Sequence, residues 1–343
     1  MNFLNQTFKR RRVLKILGVS AVGAITGGAL INSFKHKVHK VNSFKHKVHK
    51  VHWQGISLGS PAEITIYHHE KDKAESIIEK SVKRINYLEN LFSLYKKESQ
   101  LSILNEKGTL ESPASEMLNL MYLSKKYAKI TNGAFDITVQ PLWKIYKDSF
   151  AKFNRPPHEK VVVEALSLVN IDNISIEKNK IEYSIKGMSS TLNGIAQGYI
   201  TDKISEIMID SGIKSTLIQI GEYRGIGEHP EGRPWRLLIS NPEHTSSIGA
   251  LEFRNKAVAT SAGMGTIFEN SGKYNHIFDP KNGMSPSNHL QTTVLAKTAT
   301  EADALSTAFL ILNKTKSTKI AKDRNIGFEV LDNKRNREII TVI

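Results

Sequence analysis

Apolar residues recur along the chain with both helical and strand spacing from about residue 56 to the C terminus. An apolar face repeats every three or four residues over 74–95 and again over 115–130, which predicts two amphipathic helices. Apolar and polar residues alternate over 56–67, which predicts a strand or a hairpin broken at 59–61. Helices and strands are therefore mixed along the same chain, as in an α+β fold.

The second half of the chain contains short apolar runs between glycine, asparagine and proline residues. These runs predict strands near Ile174 and Ile181, over 216–220, 235–240, 249–260 and 291–296, and a closing hairpin with Asn333 in its turn. Helical spacing predicts a short helix over 161–169 and a longer one after 192–199, while 148–160, with charges and two prolines, is predicted as a loop. We expect an α+β domain of mixed sheets with packed helices.

Residues 298–312 predict a helix with an unusual polar face. Thr298 and Glu301 have the spacing of a capping box. Asp303 and Thr307 are four residues apart, so they share one face, whereas nearly all the rest of the circumference is apolar and predicts burial. A buried carboxylate needs a cation or hydrogen-bond donors, and an aspartate beside a hydroxyl suits Mg²⁺. A structural, hydrogen-bonded aspartate is the alternative.

Charge and cysteine content exclude several classes of function. The formal charge of the 343 residues is +15, but residues 1–52 carry eleven lysines and arginines and no acidic residue. Residues 53–343 hold 37 basic and 33 acidic residues, so the main body gives no reason to expect a nucleic-acid partner. The absence of cysteine excludes disulfides, thiolate metal sites and a cysteine nucleophile.

The N-terminal 31 residues have the layout of an export signal. Basic residues 9–15 precede an apolar run from Ile16 to Ile31, as in a signal peptide. Residues 10–15 read Arg-Arg-x-x-Leu-Lys and resemble a twin-arginine signal, whose pathway carries folded proteins. We expect export to the periplasm or the outer face of the cytoplasmic membrane, with cleavage or retention as an anchor both open.

A tandem decamer follows the apolar run. Residues 31–40 and 41–50 are identical apart from one exchange of isoleucine for valine. Their lysines and histidines predict either a solvated spacer over 32–52 or a basic segment that associates with anionic lipid or loosely with metals. We therefore predict a folded domain over 53–343.

Two further segments combine glycine or histidine with a predicted element boundary. Glycines in 192–199 precede a helix, where they allow either close packing or approach to a phosphate. His276 and Asp279 are three residues apart at a predicted strand end, where a histidine can pair with a carboxylate or exchange protons. Neither segment identifies a reaction by itself.

Five segments in order resemble the FAD:protein FMN transferases, the ApbE-like flavin transferases. They are 92–105, Gly133–Asp136, Leu192–Tyr199, His276–Pro280 and Glu301–Thr307, and the resemblance spans about 58–343. It implies an ApbE-like fold of two intimate lobes and an exported enzyme that binds FAD and Mg²⁺. Such an enzyme transfers FMN to a threonine or serine hydroxyl of a partner flavoprotein and releases AMP. A membrane or periplasmic redox protein is the expected acceptor.

The resemblance also assigns roles to individual residues. The metal ligands would be Asp303, Thr307 and the carbonyl of Gly194, with Ser306 as a helper, and His276 would be the catalytic base. The FAD site would be lined by Leu58, Tyr95, Ala134, Phe135, Asp136, Thr191, Gln197 and Ile277.

Four positions depart from the family pattern near the cofactor. Thr191 stands where an acidic residue is usual, and Gln197 where lysine or glutamate is commoner. The Gly-Gly-acidic turn is shortened to Gly221-Glu222, and Ala262 replaces a common glycine. FAD pyrophosphate hydrolysis and non-catalytic FAD binding are therefore the alternatives to transfer, and a basic surface-binding module is a third.

Overall fold

A computed structural model of the protein describes residues 39–41 and 48–340. The predicted export signal over 1–31 and most of the predicted spacer over 32–52 lie outside the described residues. The helices are α1 (Lys71–Phe92), α2 (Gln100–Lys107), α3 (Ser115–Ile130), α4 (Gln140–Phe153), α5 (Glu159–Leu166), α6 (Ala196–Asp210), α7 (Ala299–Ile311) and α8 (Lys314–Arg324). In this part of the chain, no helix has the length and apolar character needed to span a bilayer.

The strands form one large antiparallel sheet and two small ones. In chain order they are β1 (His39–Val41), β2 (Val48–Ser57), β3 (Ser60–His68), β4 (Thr109–Glu111), β5 (Ile174–Glu177), β6 (Lys180–Tyr183), β7 (Thr216–Ile220), β8 (Glu222–Ile226), β9 (Trp235–Ser240), β10 (Ser247–Phe253), β11 (Ala257–Ala262), β12 (Gln291–Ala296), β13 (Gly327–Leu331) and β14 (Arg337–Ile340). The nine-stranded sheet has the order β1-β2-β3-β7-β8-β11-β12-β13-β14. Strands β4, β6 and β5 form the second sheet, and β9 and β10 form a separate hairpin.

Side-chain alternation divides the large sheet into two faces with different coverings. On β11, Ala257 and Ala259 belong to the main core, which also contains buried residues of α1, α6 and α7. Val258 points the other way and packs with Trp235 and Leu237 of the β9–β10 hairpin. The sheet therefore carries helices on one face and the hairpin on the other, which confirms a mixed α+β fold.

Helix α7 is buried between α6 and strands β11 and β12. All residues of α7 except Thr307 are buried, because apolar side chains point outward around nearly the whole helix and pack against neighbouring elements. Thr298 caps the helix by accepting a hydrogen bond from the Glu301 amide, as the capping box predicts. The Glu301 carboxylate pairs with Arg324 of α8.

Several local predictions are confirmed closely. Helix α3 and strands β7, β9 and β12 have the predicted bounds, and the hairpin of β2 and β3 turns at the predicted position. Leu58 in that turn has a positive φ of 47°, and Gly59 a φ of 83°. A tight turn of this kind needs left-handed backbone, which glycine adopts easily.

Other boundaries were predicted wrongly. Strand β2 begins at Val48, inside the predicted spacer, and α4 continues to Phe153 through the start of the predicted loop. The single strand expected over 249–260 is two strands, β10 and β11. Helices α2 and α8 were not predicted, since short helices have weak periodicity.

Two errors concern the site. Glu222 opens strand β8, whereas the sequence predicted a turn there. His276 does not end a regular strand; an isolated bridge between Ile267 and Asn275 precedes it. Segments of this kind acquire their conformation from neighbours that are distant in sequence.

Candidate active site

The polar face of α7 holds three predicted metal-site residues together. The Ser261 hydroxyl of β11 lies 2.8 Å from the Ser306 hydroxyl and 3.2 Å from the Thr307 hydroxyl. Ser306 also donates to the Asp303 carbonyl oxygen at 2.9 Å. The Ser306 and Thr307 hydroxyl groups therefore meet the Ser261 hydroxyl at the interface of α7 with β11.

Two glycines, Gly194 just before α6 and Gly198 in its first turn, bring this part of the chain close to α7. A β-carbon added at Gly194 would lie 3.1 Å from Thr307 Oγ1, and one added at Gly198 would overlap the Ala299 carbonyl oxygen. The Gly198 amide donates to Asp303 Oδ2 at 2.9 Å. The glycines of the 192–199 segment thus permit close packing and bring the N-terminal end of α6 against the α7 polar face.

Asp202 fixes the relative position of the same two helices. Its carboxylate accepts hydrogen bonds at 2.8 Å from the backbone amides of Ala299 and Thr300, which are orphan donors of the first turn of α7. The Thr300 hydroxyl donates to it at 2.6 Å. The anion also lies at the positive end of the α7 dipole, so one side chain of α6 both caps and anchors α7.

Two buried carboxyl groups oppose each other's ionisation at this interface. Burial raises the pKa of Asp303 to about 7, although its bond with Gly198 favours the charged form. Burial and the negative charge of Asp303 raise the pKa of Glu222 well above its usual range. A bound cation would reverse this penalty, because it favours the ionised carboxylates.

His276 is held in the segment that follows β11. Its ring Nδ1 lies 3.1 Å from the Thr266 carbonyl oxygen, and its backbone amide donates to the same oxygen at 3.0 Å. A carbonyl can only accept, so this contact favours the neutral tautomer with its proton on Nδ1 and a lone pair on Nε2, and the Gly263 carbonyl is a second backbone acceptor that acts on the ring. Burial lowers the pKa of His276, which keeps the ring in this basic form at neutral pH.

Four of the predicted FAD-lining residues belong to one connected region. Ala134 and Phe135 are buried, and the Phe135 ring approaches Gly194. The Asp136 carboxylate accepts from the Thr138 amide at 2.8 Å and the Ile171 amide at 3.0 Å. Asp136 therefore stabilises the turn between α3 and α4.

The same turn is tied to the segment before α6. The Thr191 amide donates to the Ile137 carbonyl oxygen at 2.7 Å, which joins Thr191 to the Phe135 region. Burial raises the pKa of the Asp136 carboxyl, while its hydrogen bonds with Thr138 oppose that rise. Asp136 and Thr191 are thus part of one backbone framework beside the α6 glycines.

The other four predicted FAD residues surround this framework. Gln197 packs against Gly221, whose φ is 81°, and Ile277 is buried in the main core. Leu58 occupies the β2–β3 turn and packs partly against the core. The Tyr95 ring, between α1 and α2, is 57% exposed. Among these four residues, Gln197 lies in the first turn of α6, next to the glycine that donates to Asp303.

Asp202 and Ser261 belong to the site but were not among the predicted site residues, and Glu222, expected only as part of a shortened turn, is a third buried or partly buried polar residue there. Asp202 follows Gly198 by four residues and so shares its helix face, which is a signal that was available. Ser261 shares a strand face with Ala257 and Ala259, which alternation also indicates. Glu222 had no comparable local signal.

A family model and several sequenced relatives match this chain. The model described as the ApbE family matches residues 58–331. The FAD:protein FMN transferase of Haemophilus influenzae is 29% identical over 298 residues, which cover 79% of this chain and 85% of the relative. The Vibrio cholerae protein of the same name is 29% identical over 68% of this chain and 72% of its own.

Solved structures share the fold. The flavin transferase ApbE from Vibrio cholerae superimposes with a TM-score of 0.74 at 24% identity, covering 85% of this chain and 96% of that structure. The apbe protein from Thermotoga maritima gives a TM-score of 0.76, also at 24% identity, over 85% of this chain and 97% of that structure.

Proposed function

This chain belongs to the ApbE family, and we propose that it transfers FMN from FAD to a threonine or serine hydroxyl of a partner flavoprotein, with release of AMP. The names of its relatives support the enzyme class. The observation that carries the proposal is the convergence of Asp303, Thr307 and Gly194 at the α6–α7 contact, with His276 in the segment that follows β11.

The donor groups at this contact fit Mg²⁺. Among the described residues, no three histidine, aspartate or glutamate side chains are grouped in a way that could hold a metal ion by themselves. Asp303 offers a carboxylate, Thr307 a hydroxyl and Gly194 a backbone carbonyl, all of them oxygen donors, and Ser306 lies beside them. The bound metal would neutralise charge on the FAD pyrophosphate.

His276 is the proposed base. The acceptor oxygen forms a bond to the phosphorus of the FMN half while the bond from that phosphorus to the bridging oxygen breaks. AMP leaves with the bridging oxygen, and the hydroxyl proton passes to Nε2 of His276. The Thr266 carbonyl holds the ring in the tautomer that this transfer needs.

The framework around the α6 glycines would bind FAD. Ala134, Phe135 and Thr191 supply a rigid wall, and the exposed ring of Tyr95 offers an aromatic surface. The positive N-terminal end of the α6 dipole favours an anionic pyrophosphate.

A single incubation tests the proposal. The protein is mixed with FAD, Mg²⁺ and candidate acceptor flavoprotein domains, and acceptor mass and AMP are followed. A mass gain of one FMN with equimolar AMP is expected. Free FMN with AMP would instead identify hydrolysis, and intact bound FAD would identify a carrier; either result overturns the transferase proposal.

We also propose export by the twin-arginine route, with action on a membrane or periplasmic redox protein. The motif at residues 10–15 and the basic residues up to 52 support this, and the same basic residues would favour anionic membrane surfaces. Replacing Arg10 and Arg11 together by lysine is expected to leave the protein in the cytoplasmic fraction. Unchanged periplasmic recovery would contradict the route.

A further inference from the structure

A cleft separates the β9–β10 hairpin from the end of the large sheet. One side is formed by consecutive β9 residues, Leu237 to Ser240. The other is formed by side chains on the sheet face opposite α7, including Val258, Thr260 and Gln291. The cleft therefore lies across the sheet from the metal-site helix, and its lining is largely apolar with a few polar groups.

The inner end of the cleft reaches the proposed active site. Gln197 and Glu222 both line it. Gln197 precedes the glycine that donates to Asp303, and its side chain packs against Gly221, the residue before Glu222. Gly265, in the segment that holds His276, lines the same end. Gln197, Gly221, Glu222 and Ala262, which depart from the family pattern near the cofactor, all line the cleft, so it adjoins the expected FAD site.

Strand β9 has an edge available for pairing. In the described part of the chain it pairs with β10 alone. An antiparallel partner uses the amides and carbonyls of alternate residues, so the remaining groups of β9 face away from β10. Of these, the Ser240 carbonyl accepts from the Gln291 side chain at 3.1 Å. Such an edge is a ready template for an extended polypeptide.

Beside this edge, one apolar side chain is exposed, and one buried polar atom has no hydrogen-bond partner among the described residues. Leu238 lines the cleft and is 42% exposed, on the strand face opposite the buried Leu237 and Ile239. His244, which also lines the cleft, has a buried Nδ1 without a hydrogen-bond partner among the described residues and a strained positive φ of 56°. An exposed apolar side chain and a polar atom without a partner, both beside an unpaired strand edge, are features of a peptide-binding groove.

We propose that this cleft binds the acceptor protein as an extended segment, which adds to the edge of β9 and brings its hydroxyl to the inner end, near His276. The inference rests on the proposed transferase function, because that reaction requires a protein nucleophile. Backbone pairing explains how the enzyme holds the segment, and the contact with Leu238 selects an apolar residue on it.

A matched pair of variants tests the cleft. Leu238→Glu places a charge at the cleft, and Ile339→Glu places one on β14, where Ile339 is 56% exposed. Both positions are exposed strand residues, so both variants are expected to fold. Measurements are the KM for an acceptor domain that the wild type flavinylates, the Kd for FAD and photo-cross-linking to that domain from p-benzoylphenylalanine at 238 or 339.

The proposal expects Leu238→Glu to raise the KM for the acceptor by about tenfold or more, as for loss of a central interface contact, with the Kd for FAD unchanged. Ile339→Glu should leave both values unchanged. Cross-linking should occur from position 238 and not from 339. An unchanged KM, or a parallel loss of FAD affinity, overturns the cleft assignment.

Cross-linking also separates this inference from the proposed function. It does not need turnover, so an acceptor domain captured from position 238 supports the cleft even when transfer is blocked by Asp303→Asn. Transfer by the wild type without cross-linking from 238 overturns the cleft and leaves the transferase function standing. Absence of transfer by the wild type overturns the proposed function itself.

Discussion

Asp303 illustrates how one buried charge acquires its chemistry from its surroundings. It accepts one hydrogen bond, from Gly198, and lies near the carboxyl group of Glu222 and the charge of Asp202. Its pKa is raised above the ordinary value of 3.8 to about 7, so ionisation costs stability as the pH rises through that interval. A nearby cation would favour the ionised form of such a buried carboxyl group and so offset the cost of burying its charge.

We expect Asp303→Asn to abolish turnover while leaving the apo fold at least as stable as the wild type at pH 8. Asparagine keeps an oxygen acceptor for the Gly198 amide and removes the unfavourable charge. Added Mg²⁺ should raise the melting temperature of the wild type and not of the variant, because only the wild type binds it. Thermal scans with and without Mg²⁺ measure this. Wild-type turnover in the variant would contradict the metal assignment.

The pH dependence of transfer should report His276. Burial lowers its pKa below 6.5, and the protonated ring cannot accept a proton, so activity is lost as the pH falls through that lowered pKa. We expect kcat/KM to be on its plateau at pH 7, with an acidic midpoint below 6.5. His276→Ala should reduce transfer about a hundredfold or more and abolish this limb. A midpoint above 7 would argue for another base.

At the scale of elements, the contact of α6 with α7 determines the site. Gly198 allows the helices to touch, Asp202 holds the first turn of α7, and Gly194 meets Thr307. By local propensity alone, Gly198 weakens helix α6, since alanine is favoured over glycine by about 1 kcal/mol in helix interiors. Its presence is explained by the backbone approach and not by local propensity.

Gly198→Ala should therefore destabilise the protein despite the better helix propensity of alanine. The added carbon would overlap the Ala299 carbonyl and lie 2.8 Å from Asp303 Cβ, an overpacking that costs about 1–3 kcal/mol. Gly327→Ala is the control, since its nearest neighbours would be 3.9 Å away. Urea unfolding measures both. Equal stability of the two variants would contradict the close approach.

At the scale of the whole molecule, one sheet joins segments from both ends of the chain. Strands β1 and β2 form one edge of this sheet, and β13 and β14 form the other. The helix face carries the proposed metal ligands of α7 and the hairpin face carries the cleft. Residues that act together therefore come from widely separated segments, as with Gly198 and Asp303, which are 105 positions apart.

Two truncations test where the folded body begins. A protein starting at His39 should retain the stability of a longer form, because β1 and β2 are both complete. A protein starting at Trp53 loses Val51, which is 0% exposed and pairs with Ile66, and should be less stable by about 1.5–3 kcal/mol for that side chain alone. Thermal or urea unfolding compares them. Equal stability of the two truncated proteins would support the predicted start of the folded domain at residue 53.

The sequence by itself determined the elements whose signals are local. Helix α3, strand β12 and the cap of α7 follow from periodicity and from Thr298, and the burial of Asp303 follows from the apolar residues around it. Family motifs added the expected roles of His276 and the metal ligands. Each of these signals lies within a few residues of the feature that it predicts.

Tertiary structure alone decided which of these residues meet. The pairing of β8, the burial of Glu222 beside Asp303 and the anchoring of α7 by Asp202 depend on contacts between segments far apart in sequence. Local periodicity cannot encode such contacts, because packing selects one arrangement among many with the same pattern. The cleft beside β9 belongs to this second class, since it exists only where the hairpin crosses the sheet.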